Sequence, residues 1–185
     1  MDDDKLPTRK MMDHRGPAWV RVAGAWYFVT ICAWDKLPWL ETLGRAGAPR
    51  TPPNVLRTFD EIAVAFLNHA REYHTMGKWR LSLFMVMPNH LHMLVHVPAV
   101  VDGGVRGAPT LPRMIANWKH WMVTQYGIQF QTNFFDTRMR DDAMYHEKFI
   151  YICNNPVRWG LAKTAREWPH VIAFSREDGT ELTHR

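Results

Sequence analysis

The stretch Val86-Met87-Pro88-Asn89-His90-Leu91-His92-Met93-Leu94-Val95 constrains this chain more than any other. Its apolar run reads as a β-strand. Side chains on a strand alternate between faces, so His90 and His92 project from the same one. Two imidazoles side by side on a rigid element make half of a metal site, and the fold must then bring further donors to that face. Pro88 has no amide hydrogen to give a ladder. It therefore divides the β-like run from Trp79 to Val97 into strands at 79–87 and 90–97, joined by Met87-Pro88-Asn89. His96 shares the face of the histidine pair but lies about 13 Å beyond His92 along the strand. That is too far to share an ion, and His96 reads as structural or as facing nucleic acid.

The other elements follow from periodicity. Residues 26–34 are rich in β-branched and aromatic side chains. Tyr27, Val29, Ile31 and Ala33 on one face and Phe28, Thr30, Cys32 and Trp34 on the other make both faces largely apolar, as in a central strand covered on both sides. Val55, Phe59, Ile62, Ala63, Phe66, Leu67 and Ala70 recur at helical spacing after Asn54 or Thr58 as cap. A second helix is predicted from Leu111 to Tyr126, with Thr110 as N-cap, Pro112 in its first turn and Gly127 as its stop. Residues 128–140 read as a short extended segment or loop, and a last helix runs from Asp141 or Asp142 to Asn155, where Pro156 ends it. The Gly/Pro-rich stretches 44–53 and 98–109 read as loops.

Strand, helix, two strands, helix, helix predicts an α+β sandwich in one domain, with a central antiparallel sheet flanked by helices. Residues 1–18, carrying Arg9, Lys10 and Arg15, read as a basic arm. The folded unit is placed at 19–175 and a tail at 176–185.

Composition narrows the function classes. Of 185 residues, 46% are hydrophobic and 22% charged, the balance of a soluble globular domain. No run of about 18 apolar residues offers a membrane span. The start of the chain is acidic and lacks the apolar core of a secretory signal. Two cysteines, Cys32 and Cys153, fit a reducing cytosol rather than a disulfide framework. A net charge of +5 with nine tryptophans suits a nucleic-acid partner, cations taking phosphates and flat rings stacking on unpaired bases.

On the last helix Tyr151 and Asn155 stand four residues apart, on one face. The phenol is a potential nucleophile, and the carboxamide oxygen a hard ligand. With His90 and His92, Asn155 completes a three-ligand set open to water and substrate oxygens. Mixed nitrogen and oxygen donors suit Mg²⁺ or Mn²⁺ better than a structural zinc. Cys153 falls on a different face and is expected to be buried.

Pro88-Asn89-His90-Leu91-His92, followed some sixty residues later by Tyr151-Ile-Cys-Asn-Asn155-Pro-Val-Arg-Trp-Gly-Leu161, resembles the single-tyrosine HUH transposases, and most closely the REP-associated tyrosine transposases and their insertion-sequence relatives. Gly24–Thr30 resembles that family's first strand, Trp118-Lys119 its basic helix, and Phe134-Phe135-Asp136 with Arg138 and Arg140 the segment leading to the tyrosine helix. About residues 15–170 are covered. The resemblance implies a ferredoxin- or RRM-like HUH fold, with His90, His92 and Asn155 as ligands of a divalent metal, Mg²⁺ or Mn²⁺. It implies that Tyr151 attacks a single-stranded DNA phosphodiester near a hairpin, leaving a 5′-phosphotyrosine and a free 3′-OH. Arg15, Lys119, Arg138, Arg140 and Arg158 are the candidate DNA contacts. The protein is expected in the bacterial cytosol or nucleoid, as monomer or homodimer with Tyr151 acting within one chain or across two. The competing expectation is a hairpin-binding protein, for DNA or RNA, without turnover.

Overall fold

The computed structural model describes residues 24–43, 54–98 and 110–182. The basic arm with Arg15 and nearly all of both Gly/Pro loops lie outside them. The main elements are β1 (Ala25–Cys32), α1 (Phe59–Thr75), β2 (Arg80–Val86), β3 (His90–Val97), α2 (Leu111–Tyr126), β4 (Phe135–Arg138), α3 (Asp142–Arg158), β5 (Val171–Phe174) and β6 (Glu181–Leu182), with short helical turns at Trp34–Lys36, Trp39–Thr42 and Ala165–Glu167. One antiparallel sheet, ordered β4-β1-β3-β2-β5-β6, carries helices on both faces, which is the α+β architecture expected. Among these residues no helix is long and apolar enough to cross a membrane.

Alternation divides the sheet into two differently used faces. Val29 and Ile31 of β1 with Leu91, Met93 and Val95 of β3 meet Ile62, Phe66 and Ala70 of α1 and Met114, Ile115, Trp118 and Met122 of α2 in the main core. Trp118 stacks on Phe66 at 5.4 Å between ring centres. Burying a side chain of this class contributes roughly 1.5–3 kcal/mol, so this layer holds most of the stability. Phe28, Leu83, Met85 and Leu94 line the other face under α3, with Tyr145 and Ile152. A register irregularity between Leu81 and Leu83 lets Leu81 and Phe84 both face the main core, three residues apart.

The β2–β3 turn is clamped. The Trp39 indole donates to the Met87 carbonyl at 2.7 Å and the Trp39 amide to the Pro88 carbonyl at 2.9 Å. The Ala33 amide, at the end of β1, donates to the Asn89 carbonyl at 2.9 Å. The proline that interrupts the strand thus sits in a turn fixed on both sides, and His90 leaves it in a defined direction.

Caps account for the helix starts. Thr58 accepts from the Glu61 amide in a capping box, so α1 begins at Phe59; Val55 lies outside the helix and is 69% exposed, against its place in the periodic pattern. Thr110 caps α2, and Gly127 ends it at φ +72, as read from the sequence. Pro156 does not end α3. It stands inside the last turn, where its missing amide removes a single donor, and the helix closes at Trp159 with Gly160 at φ +67. Three strands exceed the expected set. β4 pairs with β1 in the segment read as extended or loop, and β5 and β6 extend the sheet past β2. β6 carries it into residues placed in the tail.

Candidate active site

His90 and His92 emerge on the α3 side of β3, 4% and 1% exposed, with ring centres 4.7 Å apart. Each imidazole is oriented by a second group. The Asn89 amide nitrogen donates to the Lys36 carbonyl at 3.2 Å, so its oxygen faces His90 Nδ1 at 2.7 Å. A carboxamide oxygen only accepts, so His90 carries its proton on Nδ1 and keeps the Nε2 lone pair. On His92 the Asn155 amide donates to Nε2 at 2.6 Å, which leaves Nδ1 to donate to Thr30 Oγ1 at 2.8 Å. Thr30 is the cross-strand partner of His92 in the β1–β3 ladder. Orienting contacts of this kind set tautomer and ring direction in metal-binding histidines.

Burial keeps both rings neutral. His90 is pushed down to about 4 by desolvation. His92 is held well below the usual histidine value, first by burial and then by His90 and Arg158 beside it. Neutral imidazoles are the metal-binding form.

The third donor comes from α3, whose one-turn spacing puts Tyr151 and Asn155 against the histidines. Asn155 is 2% exposed, and its Oδ1 is buried with no hydrogen-bond partner. A buried carboxamide oxygen left unpaired is costly, and it lies on the group that touches His92. Two imidazole lone pairs and a carboxamide oxygen fit a divalent ion with mixed nitrogen and oxygen preference. His92 Nε2 commits its lone pair to the Asn155 amide, so an ion would compete with that hydrogen bond. Among the described residues no cluster of three His, Cys, Asp or Glu side chains exists that would hold a metal otherwise.

Tyr151 is half-buried in the same chain, its ring centre 5.7 Å from that of His92 and 5.8 Å from that of Phe28. Phe28 stacks on His92 at 5.3 Å. The Arg158 guanidinium carbon lies 5.1 Å from the Tyr151 ring centre and the Lys148 ammonium 6.0 Å. A potential nucleophile and two cations thus lie beside the buried His90, His92 and Asn155, the three candidate ligands.

The remaining candidates lie apart. Lys119, on α2 across the sheet, donates to the Gln131 carbonyl and to the Thr132 carbonyl at 3.2 Å, and burial pushes it down to about 8. Arg138 is half-buried opposite Tyr27, on the face away from the histidines. Arg140 is exposed just before α3. Of the candidate DNA-contacting cations among the described residues only Arg158 borders Tyr151. His96 packs against Trp26 at 5.3 Å between ring centres, remote from the pair. Cys153 is half-buried rather than buried, its thiol pushed up by burial.

Lys148, Thr30 and Asn89 escaped the sequence reading as site residues. Lys148 was available from helical spacing, three residues before Tyr151. Asn89 stood inside the histidine motif, where it reads only as a turn residue. Thr30 depends on cross-strand register, which a linear pattern does not carry.

Among solved structures, a REP-associated tyrosine transposase bound to a REP hairpin is similar over 87% of this chain and 82% of that one, with a TM-score of 0.53 and 17% identity. At that identity the likeness establishes a shared fold. No family model matches the chain, and no curated protein sequence matches it.

Proposed function

We propose that this protein cuts and rejoins single-stranded DNA beside a hairpin through a covalent link to Tyr151. The observation that carries the reading is the convergence, within one chain, of Tyr151 with His90, His92 and Asn155. The shared fold with a transposase bound to a hairpin supports DNA as the partner, and with it a site of action in the bacterial cytosol or nucleoid as part of this reading.

The residues divide the labour. His90, His92 and Asn155 would hold a Mg²⁺ or Mn²⁺ ion, which when bound draws charge from the non-bridging phosphate oxygens. Arg158 and Lys148, both beside the Tyr151 ring, offer counter-charge to the same phosphate. Tyr151 Oη forms a bond to phosphorus, and the bond from phosphorus to the 3′-oxygen breaks. The phenolic proton passes to solvent, and the departing 3′-oxygen takes one up. Attack by a 3′-OH on the phosphotyrosine reverses these steps and restores a phosphodiester without an outside energy source.

The test is covalent capture. Hairpin oligonucleotides with varied single-stranded flanks, labelled on the 3′ side of the cut, are incubated with the protein and Mn²⁺ and resolved under denaturing conditions. The label is expected to travel with the protein, and Tyr151→Phe to abolish this. An adduct that survives in Tyr151→Phe moves the nucleophile elsewhere. Tight hairpin binding with no cut strand across the set establishes the non-catalytic binding reading instead.

A further inference from the structure

Two tryptophans stand among the exposed large apolar side chains of the described residues, and one of them, Trp159, touches the site. It is 50% exposed, with its ring centre 5.7 Å from that of His90 and tilted by 48°. Its place is fixed by the end of α3. The Trp159 amide donates to the Asn155 carbonyl at 3.1 Å, Gly160 turns the chain away at φ +67, and the Leu161 amide closes the end on the Pro156 carbonyl at 2.9 Å. The residue that touches His92 through its side chain therefore holds Trp159 through its backbone. Arg158 and Trp159 flank the site from consecutive positions, the cation over Tyr151 and the indole beside His90.

A half-exposed indole on a rigid helix end is costly in water and contributes little to the core. Beside a phosphate-handling site it has a natural ligand. Unpaired bases stack on aromatic faces whatever their identity, because every base has a π-face. We infer that Trp159 is a stacking platform for the unpaired nucleobase next to the phosphate at Tyr151, and so a positioning residue. The inference rests on the DNA reading above and adds a contact that neither the histidine motif nor the tyrosine motif requires. Stacking there brings the sugar–phosphate chain to the histidines and the phenol, where Arg158 faces the same phosphate.

The experiment measures binding of a short labelled oligo-dT strand in EDTA by fluorescence anisotropy, so no cleavage enters. Trp159→Ala is expected to weaken binding about 5- to 150-fold, the range of one lost stacked base. Trp159→Phe keeps a π-face and stays close to wild type. Trp159→Leu keeps apolar area without a π-face and falls with Ala. The salt dependence of binding is expected to stay unchanged in all three variants, because no phosphate contact is lost. A single base-free sugar, moved along the strand, should weaken wild-type binding at one position and have no effect there in Trp159→Ala. Wild-type affinity in Trp159→Ala, Leu equal to Phe, or a base-free penalty that persists in Trp159→Ala overturns the platform. Covalent capture separates this from the reading it rests on. Capture without a Trp159 effect leaves Tyr151 in place and removes the platform, whereas a Trp159 effect without capture keeps the platform on a binding protein.

Discussion

The two halves of α3 present the same side chain to different surroundings. Tyr145 and Tyr151 stand on one helix, six residues apart, on the face packed against the sheet. Tyr145 is buried and hydrogen-bonded to buried Ser82, with the Arg176 guanidinium 4.0 Å from its ring centre and Arg176 in turn paired with Asp142 at 3.0 Å. Burial raises its phenol above the usual tyrosine range, with the Ser82 hydrogen bond acting the other way. Tyr151 is half-buried, and the polar groups beneath it are a buried oxygen without a partner and two imidazoles kept neutral. One half closes its polar groups on one another and adds stability. The other leaves donor atoms available at a cost in stability, as functional sites commonly do.

Replacing each phenol by Phe is the sharpest way to break that contrast. Tyr151→Phe is expected to reduce covalent capture on the order of 10⁴-fold or more while melting like wild type, since it removes a nucleophile rather than a packed hydroxyl. Tyr145→Phe is expected to leave capture unchanged. Equal losses in both variants would make the two halves equivalent and end the distinction.

Acid probes the cost of the open half. His90 titrates near 6.5 in an unfolded chain and at about 4 in the fold. The folded state resists the proton and the unfolded state takes it. Stability is therefore fully present above about pH 6.5 and is lost as pH falls from there through about 4. A shift of that size corresponds to about 3 kcal/mol, to which His92 adds in the same direction. Urea unfolding in EDTA at steps between neutral pH and acid should show this slope in wild type and a shallower one in His90→Gln. An unchanged slope in the variant would show that burial of His90 carries no such cost.

How far all this was legible depends on the range of the interaction. The shared face of the histidine pair, the turn at Met87-Pro88-Asn89 and the Tyr151–Asn155 spacing are local, and they read correctly from the chain, whereas the clamp that Trp39 and Ala33 put on that turn is long-range and did not. So did the cap Thr110 read correctly, which acts within one turn, while the structure decides for Thr58 between the two caps, Asn54 and Thr58, that the chain offered. β5 and β6 did not read, because Val171–Phe174 and Glu181–Leu182 are too short to show a period and exist through pairing with a distant strand. Pro156 misled for the opposite reason. A local rule about proline was overridden at the helix end, where a missing donor matters least. Arg138 and Lys119 carry the right charge, yet strand register and helix packing turn them away from Tyr151.

Thr30 tests the orienting layer, with a smaller expected effect. Thr30→Val keeps the shape of the β-branched side chain and removes the oxygen that accepts from His92 Nδ1. Loss of such a partner typically lowers metal affinity about 10- to 100-fold. Calorimetric titration with Mn²⁺ should show that loss while capture at saturating Mn²⁺ largely recovers. Unchanged affinity would show that the ring is oriented by packing against Phe28 alone.

The smallest effect belongs to the closed half, and it separates closure from mere burial. Tyr145→Phe leaves buried Ser82 without its tyrosine partner, at an expected cost of about 1–2 kcal/mol in urea unfolding. Ser82→Ala should cost a similar amount by leaving the Tyr145 hydroxyl in the same position. If the pair is a closed unit, the double variant Tyr145→Phe with Ser82→Ala loses much less than the sum, because no polar group is then left unpaired. Additive losses would show that each hydroxyl is satisfied independently. The Tyr145 half would then be buried without being closed, and partner satisfaction would no longer be what distinguishes it from the Tyr151 half.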